Sequence, residues 1–511
     1  MTPPVPSGPA TDVVTYKNDQ ARTGQNLTES VLTLTNVNAT NFGLRRNLAV
    51  DGKVDAQPLY LSQLTVAGAT HDVLFVATEH DSVYAFDPDS GAVLWKVSLL
   101  GSGEVLSDTH GCSQVTPELG VTSTPVIDRT AGAHGTIYVV AMSKDASSNY
   151  HQRLHALDVT TGAELLGGPT EIAATYPMMN GGTSTFSPGQ YEERAALLLS
   201  NGTIYTSWTS HCDATPYTGW VIAYSAATLM RTMMIDVAAN GGSVGPAIWM
   251  GGGGPAADSA GNIYLLTGNG AFETTLDGNG FPNKQDYGNS FLKLSAAGGT
   301  LSVADFFTMQ NEVAESAADL DLGSGGEMLL PDLTDSAGTV RHLMVGAGKD
   351  GNLYVVNRDS MGKFSPSANN IWQELDGVVP SGIHSTPAYF NGSVYYGDSG
   401  ATLKAFTVAN AKLSATPVSQ TPSQFGYPGA FPAVSANGTS NAIVWAHENS
   451  TPAVLHAYDA GNLAHELYNS NQAAGSRDHF GTGNKFIAPT VADGRVFVGT
   501  TASVAVFGLL N

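Results

Sequence analysis

The sequence predicts an all-β chain folded as an eight-bladed β-propeller, with four-stranded antiparallel blades and a ring closed by an N-terminal strand. Three observations point there. A short apolar motif recurs eight times, a further strand-like run precedes each copy, and the last repeat holds only three strands before Asn511.

The motif is an apolar strand, often with Ala inside it, ending in Asp or a small polar residue at a turn. It reads Val83-Tyr84-Ala85-Phe86-Asp87 before Ser90-Gly91, and Leu154-His155-Ala156-Leu157-Asp158 before Thr161-Gly162. Further copies are Val221–Tyr224, Phe291–Leu294, Leu353–Val356, Leu403–Phe406, Leu455–Asp459 and Val504–Phe507, spaced by roughly 50 to 70 residues. The preceding runs include Val73–Ala77, Thr136–Val140 and Val496–Gly499. Before these sits a third run, often with Pro, as at Gln57–Tyr60, Ser123–Val126, Ser385–Ala388 and Ala488–Val491. β-Branched and aromatic residues bounded by Gly, Asn and Asp read as strands, and no long stretch has helical periodicity.

Regular repeats make one domain of a chain whose length alone suggests several. We assign residues 12–511 to the propeller, 12–43 to an extended segment across the ring, 44–50 to the closing strand and 1–11 to a linker tail. A strand lent from the N-terminal side completes the last blade and removes exposed sheet edges. A large sandwich or a solenoid is the alternative architecture.

The net charge of −22 argues against nucleic acid or an anionic membrane as partner. No run of about 18 apolar residues predicts a membrane span. An acidic, charge-poor chain that opens on Thr2-Pro3-Pro4-Val5-Pro6 suits a secreted or periplasmic protein. Only 13% of the residues are charged, against about 25% in typical domains, so their placement is informative. Many lie in second-to-third strand loops and blade-to-blade connections, which share one face of a propeller. They include Glu79, His80, Asp81, His211, Asp213, Asp319, Asp321, Lys349, His384, Arg477, Asp478 and Lys485. That face is the functional one. Cys112 and Cys212 fall on it in neighbouring blades, either as free thiols or as one disulfide.

The stretch from Trp249 to Lys349 holds a flat aromatic, an amide, carboxylates and an ammonium at blade-like intervals. It comprises Trp249, Gly251–Gly254, Thr267-Gly268-Asn269, Asp319-Leu320-Asp321 and Gly348-Lys349-Asp350-Gly351. Such a set suits a planar anionic cofactor and a cation.

The repeat is similar to that of pyrroloquinoline quinone (PQQ) dehydrogenases, which are eight-bladed propellers, and it also occurs in non-enzymatic propellers. The resemblance implies a PQQ- and calcium-dependent oxidation of an alcohol, sugar or polymer hydroxyl. Trp249 would lie under the quinone, and Asn269 with Asp213 would bind calcium through oxygen. Asp321, with Asp319 as its rival, would be the catalytic base and a further calcium ligand. Lys349 would contact the quinone where negative charge develops. Cys112 stands near the place where many members carry two adjacent cysteines over the quinone. Ser113 follows it, so no vicinal disulfide forms and the pocket is expected to lack that roof. No Cys-x-x-Cys-His haem site is present, so electrons would pass to an external acceptor.

Each residue also has a plainer role: packing between blades for Trp249, turn capping for Asn269, tight-turn bonds for the two Asp residues and a solvated turn for Lys349. Two other functions therefore stay open. One is a non-catalytic propeller binding a carbohydrate or a protein, and the other is a polysaccharide lyase or hydrolase on the same face. No Gly-x-Ser-x-Gly elbow or zinc spacing supports a standard hydrolase.

Overall fold

The computed structural model describes residues 11–240 and 245–510. The expected linker tail thus lies, apart from Thr11, outside the described residues.

Eight antiparallel sheets follow one another along the chain. Blade 1 pairs Leu59–Val66, Ala69–Thr78, Ser82–Phe86 and Val93–Ser98 in order. The other seven repeat this pattern. Blade 4, for example, runs Ala256–Ala257, Ile263–Leu266, Ser290–Ser295 and Ser302–Thr308, and blade 5 runs Met328–Leu329, Leu343–Gly346, Leu353–Asn357 and Gln373–Leu375. Every copy of the motif read from the sequence is the third strand of its blade. Its Ala residues, among them Ala85, Ala156, Ala223, Ala457 and Ala505, are buried.

The core sits between blades. Side chains alternate along a strand, so successive residues face opposite neighbours. In Arg495–Gly499, Val496 and Val498 pack with blade 7, while Phe497 packs with blade 1. In Leu353–Asn357, Leu353 and Val355 meet blade 6, while Tyr354 and Val356 meet blade 4. Central strands buried on both faces must be apolar at nearly every position, which is why the motif is so visible.

The ring closes as expected. Phe42–Ala49 lies antiparallel to Ser503–Leu509, with Leu48 opposite Val504, and completes blade 8 from the N-terminal side. The segment before it bonds to every blade. Val13 pairs with Tyr60 of blade 1, and the Ile127 amide of blade 2 donates to Val14 O at 2.8 Å. The Arg22 guanidinium reaches Leu197 O at the start of blade 3. Amides of Ala257, Leu329, Tyr389 and Val434, in blades 4 to 7, donate to the carbonyls of Gln20, Ala21, Thr23 and Gly24. The Asn26 amide donates to Val491 O of blade 8 at 3.0 Å. The innermost strands would otherwise present unpaired backbone groups to the central channel, and this plug satisfies them.

One six-residue helix, Glu312–Ala317, interrupts the β pattern between blades 4 and 5. Its buried residues Glu312 and Glu315 are acids, so the sequence shows no apolar stripe there. No helix among the described residues is long and apolar enough to cross a membrane.

Candidate active site

A cavity of about 190 Å³ opens on the face where the blade connections emerge. Its wall is assembled from connections between blades. Val115 comes from the segment entering blade 2, Glu192 and Arg194 from that entering blade 3, and Trp249 from that entering blade 4. Asp321 precedes blade 5, His384 precedes blade 6, Tyr427 precedes blade 7 and Phe486 precedes blade 8. Asp213 and Lys349 complete it from second-to-third strand loops of blades 3 and 5.

Trp249 stands at the start of a tight turn, Met250–Gly252. Gly251 in that turn has φ +57, and a Cβ there would stand 2.2 Å from His384 O. The glycine run thus lets the chain entering blade 4 press against the chain entering blade 6. Gly268 has a similar part, since a Cβ would lie 2.9 Å from Asp321 Oδ1 and 3.2 Å from Trp249 Cδ1.

Four of the residues picked from the sequence form one bonded group. The Asn269 backbone amide donates to Asp321 Oδ1 at 2.6 Å, and the Asn269 side-chain amide donates to Asp319 Oδ1 at 3.0 Å. Lys349 Nζ lies 2.5 Å from Asp321 Oδ2 and 2.9 Å from Asp319 Oδ1. The two carboxylates differ in burial: the Asp321 side chain is 9% exposed and that of Asp319 is 73% exposed. Burial pushes the Asp321 carboxyl up, against the pull of Lys349. Burial also acts upward on Asp319, but Lys349 outweighs it and holds that carboxyl below the usual range. Burial acts to lower the Lys349 ammonium, and the facing carboxylates more than reverse it. His384 is pushed down to about 4, by burial first and by Lys349 second, so the ring is neutral at pH 7.

Trp249, Asp213, Asp321, Lys349 and Cys112 line the cavity itself. Asn269 and Asp319 join through Asp321 and Lys349. Asp213 accepts a hydrogen bond from the Tyr217 hydroxyl at 3.1 Å. Among the described residues, no group of three or more His, Cys, Asp and Glu side chains is placed to hold a metal ion.

The pairing left open by the sequence is resolved: Cys112 is bonded to Cys212, with Cα atoms 5.3 Å apart, and both line the cavity. The partner comes from the next blade, 100 residues away in sequence. Converting both cysteines to Ala is expected to lower stability by about 2–5 kcal/mol, because the crosslink closes a long loop in the unfolded chain. Guanidinium unfolding under non-reducing conditions reads this, and added reductant should bring the parent protein to the same midpoint.

Sequence reasoning missed Glu192, Arg194, Tyr427 and Phe486. The Arg194 guanidinium sits 4.4 Å from the centre of the Phe486 ring, a cation–π contact in the cavity wall. A signal for the first pair existed: Glu192-Glu193-Arg194 is a run of three charges in a chain with few.

The fold is an eight-bladed propeller with a cavity on the face where the blade connections emerge. Residues 20–165 match a PQQ-repeat family model described as outer membrane protein assembly factor BamB. Among solved structures, the quinohemoprotein alcohol dehydrogenase of Comamonas testosteroni is 15% identical, with a TM-score of 0.62 over 98% of this chain and 80% of that one. The quinohemoprotein alcohol dehydrogenase ADHIIG of Pseudomonas putida HK5 is 14% identical, also with a TM-score of 0.62 over 98% of this chain and 80% of that one. At these identities the likeness establishes a common fold. No curated protein matches the sequence.

Proposed function

We propose that the chain is a PQQ- and calcium-dependent oxidoreductase that oxidises the hydroxyl of an alcohol, sugar or polymer. The observation that carries this reading is the buried Asp321 carboxylate held by Lys349 in a cavity that Trp249 and the Cys112–Cys212 disulfide also wall.

The donor set suits a planar polyanion. Trp249 offers a flat apolar surface, Lys349 and Arg194 offer cations, and the buried Nδ1 of His384 has no hydrogen-bond partner. Asp213, Asp321 and Glu192 bring carboxylates to the cavity wall, and Asn269 stands behind Asp321 with its backbone amide on Oδ1; these would be the oxygen donors to calcium. When bound, PQQ supplies an electrophilic carbonyl that accepts hydride or its equivalent, and calcium polarises it. Asp321 takes the proton of the substrate hydroxyl, since its carboxylate is the buried one and faces the cavity. Lys349 positions that carboxylate and adds positive charge where oxygen becomes negative. Both cysteines of the sequence are in the disulfide, so neither is free to attach a haem, and an acceptor outside these residues would take the electrons. The disulfide and the acidic, charge-poor surface favour a secreted or periplasmic site of action.

The test is a titration of the protein with PQQ and calcium, followed by quenching of tryptophan fluorescence, and then dye reduction with a panel of alcohols and sugars. Saturable quenching and turnover are expected. A protein that neither binds PQQ nor reduces dye lacks this activity. The match to the BamB family model favours a second reading, a non-catalytic propeller that binds a protein partner. It becomes the better one if PQQ fails to bind while an unfolded outer-membrane polypeptide does.

A further inference from the structure

A second cavity of about 270 Å³ adjoins the first, with Gln114 lining both. Lys53, Lys485, Asn449 and Asn484 line it, and no Asp or Glu does. That is unusual in a chain with 44 acidic against 22 basic side chains. Lys485 Nζ donates to Gln114 Oε1 at 2.8 Å and lies 5.7 Å from the centre of the Tyr427 ring, so it reaches toward the first cavity. Lys53 meets Asp55 at 3.5 Å, and Arg194 meets the other oxygen of Asp55 at 3.7 Å. One carboxylate thus serves two cations, with a third, Lys485, close by. Glu79, beside Asp55, adds no compensating charge, because burial and then Asp55 push its carboxyl well up. Burial, followed by repulsion from Lys53 and Arg194, pulls the Lys485 ammonium down. The cavity therefore holds more cationic than anionic charge, with the Gln114, Asn449 and Asn484 side chains in its lining, the Asn484 amide donating to Val54 O and Asp55 Oδ1 and the Asn449 amide to Tyr427 O.

We infer that this cavity holds a carboxylate of the substrate, as found on a sugar acid, while the substrate hydroxyl enters the Asp321 cavity. The assignment of the hydroxyl rests on the oxidoreductase reading, and the assignment of the carboxylate does not. A charge-assisted bond to Lys485 or Lys53 discriminates against an uncharged sugar of the same shape, and the attraction weakens as salt screens it.

Isothermal titration calorimetry with D-glucuronate and D-glucose tests this at low ionic strength, with and without PQQ and calcium. Glucuronate is expected to bind about tenfold tighter than glucose or better, in keeping with one charged hydrogen bond. Lys485→Gln should remove about that factor for glucuronate and leave glucose unchanged. Lys53→Gln serves as the second variant, and loss of the preference at high ionic strength gives a readout that needs no variant. Equal or unmeasurable binding of the two sugars overturns the inference. So does a preference that survives both substitutions, or inorganic phosphate binding as tightly as glucuronate. A glucuronate preference in a protein that takes up no PQQ supports the carboxylate site and removes only the redox reading.

Discussion

Replacing Asp321 by Asn is expected to lower dye reduction by the PQQ- and calcium-loaded protein by about 10²–10⁴-fold, the usual contribution of a positioned general base. Asn keeps the shape and can accept the Asn269 amide that now donates to Asp321 Oδ1 at 2.6 Å. It cannot take a proton. Quinone binding, read by fluorescence quenching, should persist within a few-fold, which separates lost chemistry from a lost pocket. The pH profile carries a second readout. A base must be ionised to work, and burial holds the Asp321 carboxyl above its ordinary value. Activity of the parent protein should therefore rise with pH as this carboxyl ionises. If Asp319 were the base, the acid limb would fall below the usual range, because Lys349 pulls that group down. Removing the ammonium with Lys349→Met should shift the limb further up, since the pull of Lys349 toward ionised Asp321 is gone. An Asp321→Asn protein with full turnover, or a limb unmoved by Lys349→Met, refutes the assignment.

The propeller was legible because its signal is local and repeated. Each third strand is buried on both faces, so Val83–Phe86 or Leu455–Tyr458 announces itself without any knowledge of its neighbours. Trp249, Asn269, Asp321 and Lys349 were picked on the resemblance to PQQ dehydrogenases, and the fold brings them together, Trp249, Asp321 and Lys349 in the cavity wall and Asn269 bonded to Asp321. Tyr427 and Phe486 carry no such mark. They enter the cavity from connections after blades 6 and 7, and only closure of the ring brings them to Trp249. The Cys112–Cys212 bond depends on the packing of two loops from adjacent blades, so the sequence placed both cysteines on one face but left their pairing open. Helix Glu312–Ala317 stayed hidden because it buries Glu312 and Glu315 where a helical pattern shows apolar residues.

Arg22→Met should destabilise the propeller by about 3–5 kcal/mol, the loss expected when one partner of a buried ionic network is removed. Arg22 is 2% exposed and lies in the plug that crosses the ring. Its Nε donates to Gly254 O and Pro255 O, its Nη1 to Thr15 Oγ1 and Tyr16 O, and its Nη2 to Leu197 O. One planar fork thus ties the plug to blades 3 and 4. Met fills comparable volume but leaves those acceptors buried without donors, each costing about 1–3 kcal/mol. Lys would restore a charge but not the fork, so Arg22→Lys should recover only part of the loss. The deficit should also depend on pH. Burial pushes Glu327 up to about 8, and Arg22 is the cation that opposes this. A carboxyl raised in the folded state contributes stability that is complete below its unfolded value of 4.5 and is lost as pH rises through about 8. Without Arg22 the folded value climbs further, so the variant loses more than the parent on the alkaline side. Denaturant unfolding at neutral and at alkaline pH should show the gap between variant and parent widening with pH. A constant gap of under about 1.5 kcal/mol is what a purely volume-filling residue would give, and would show that Arg22 does not bind the plug to the ring.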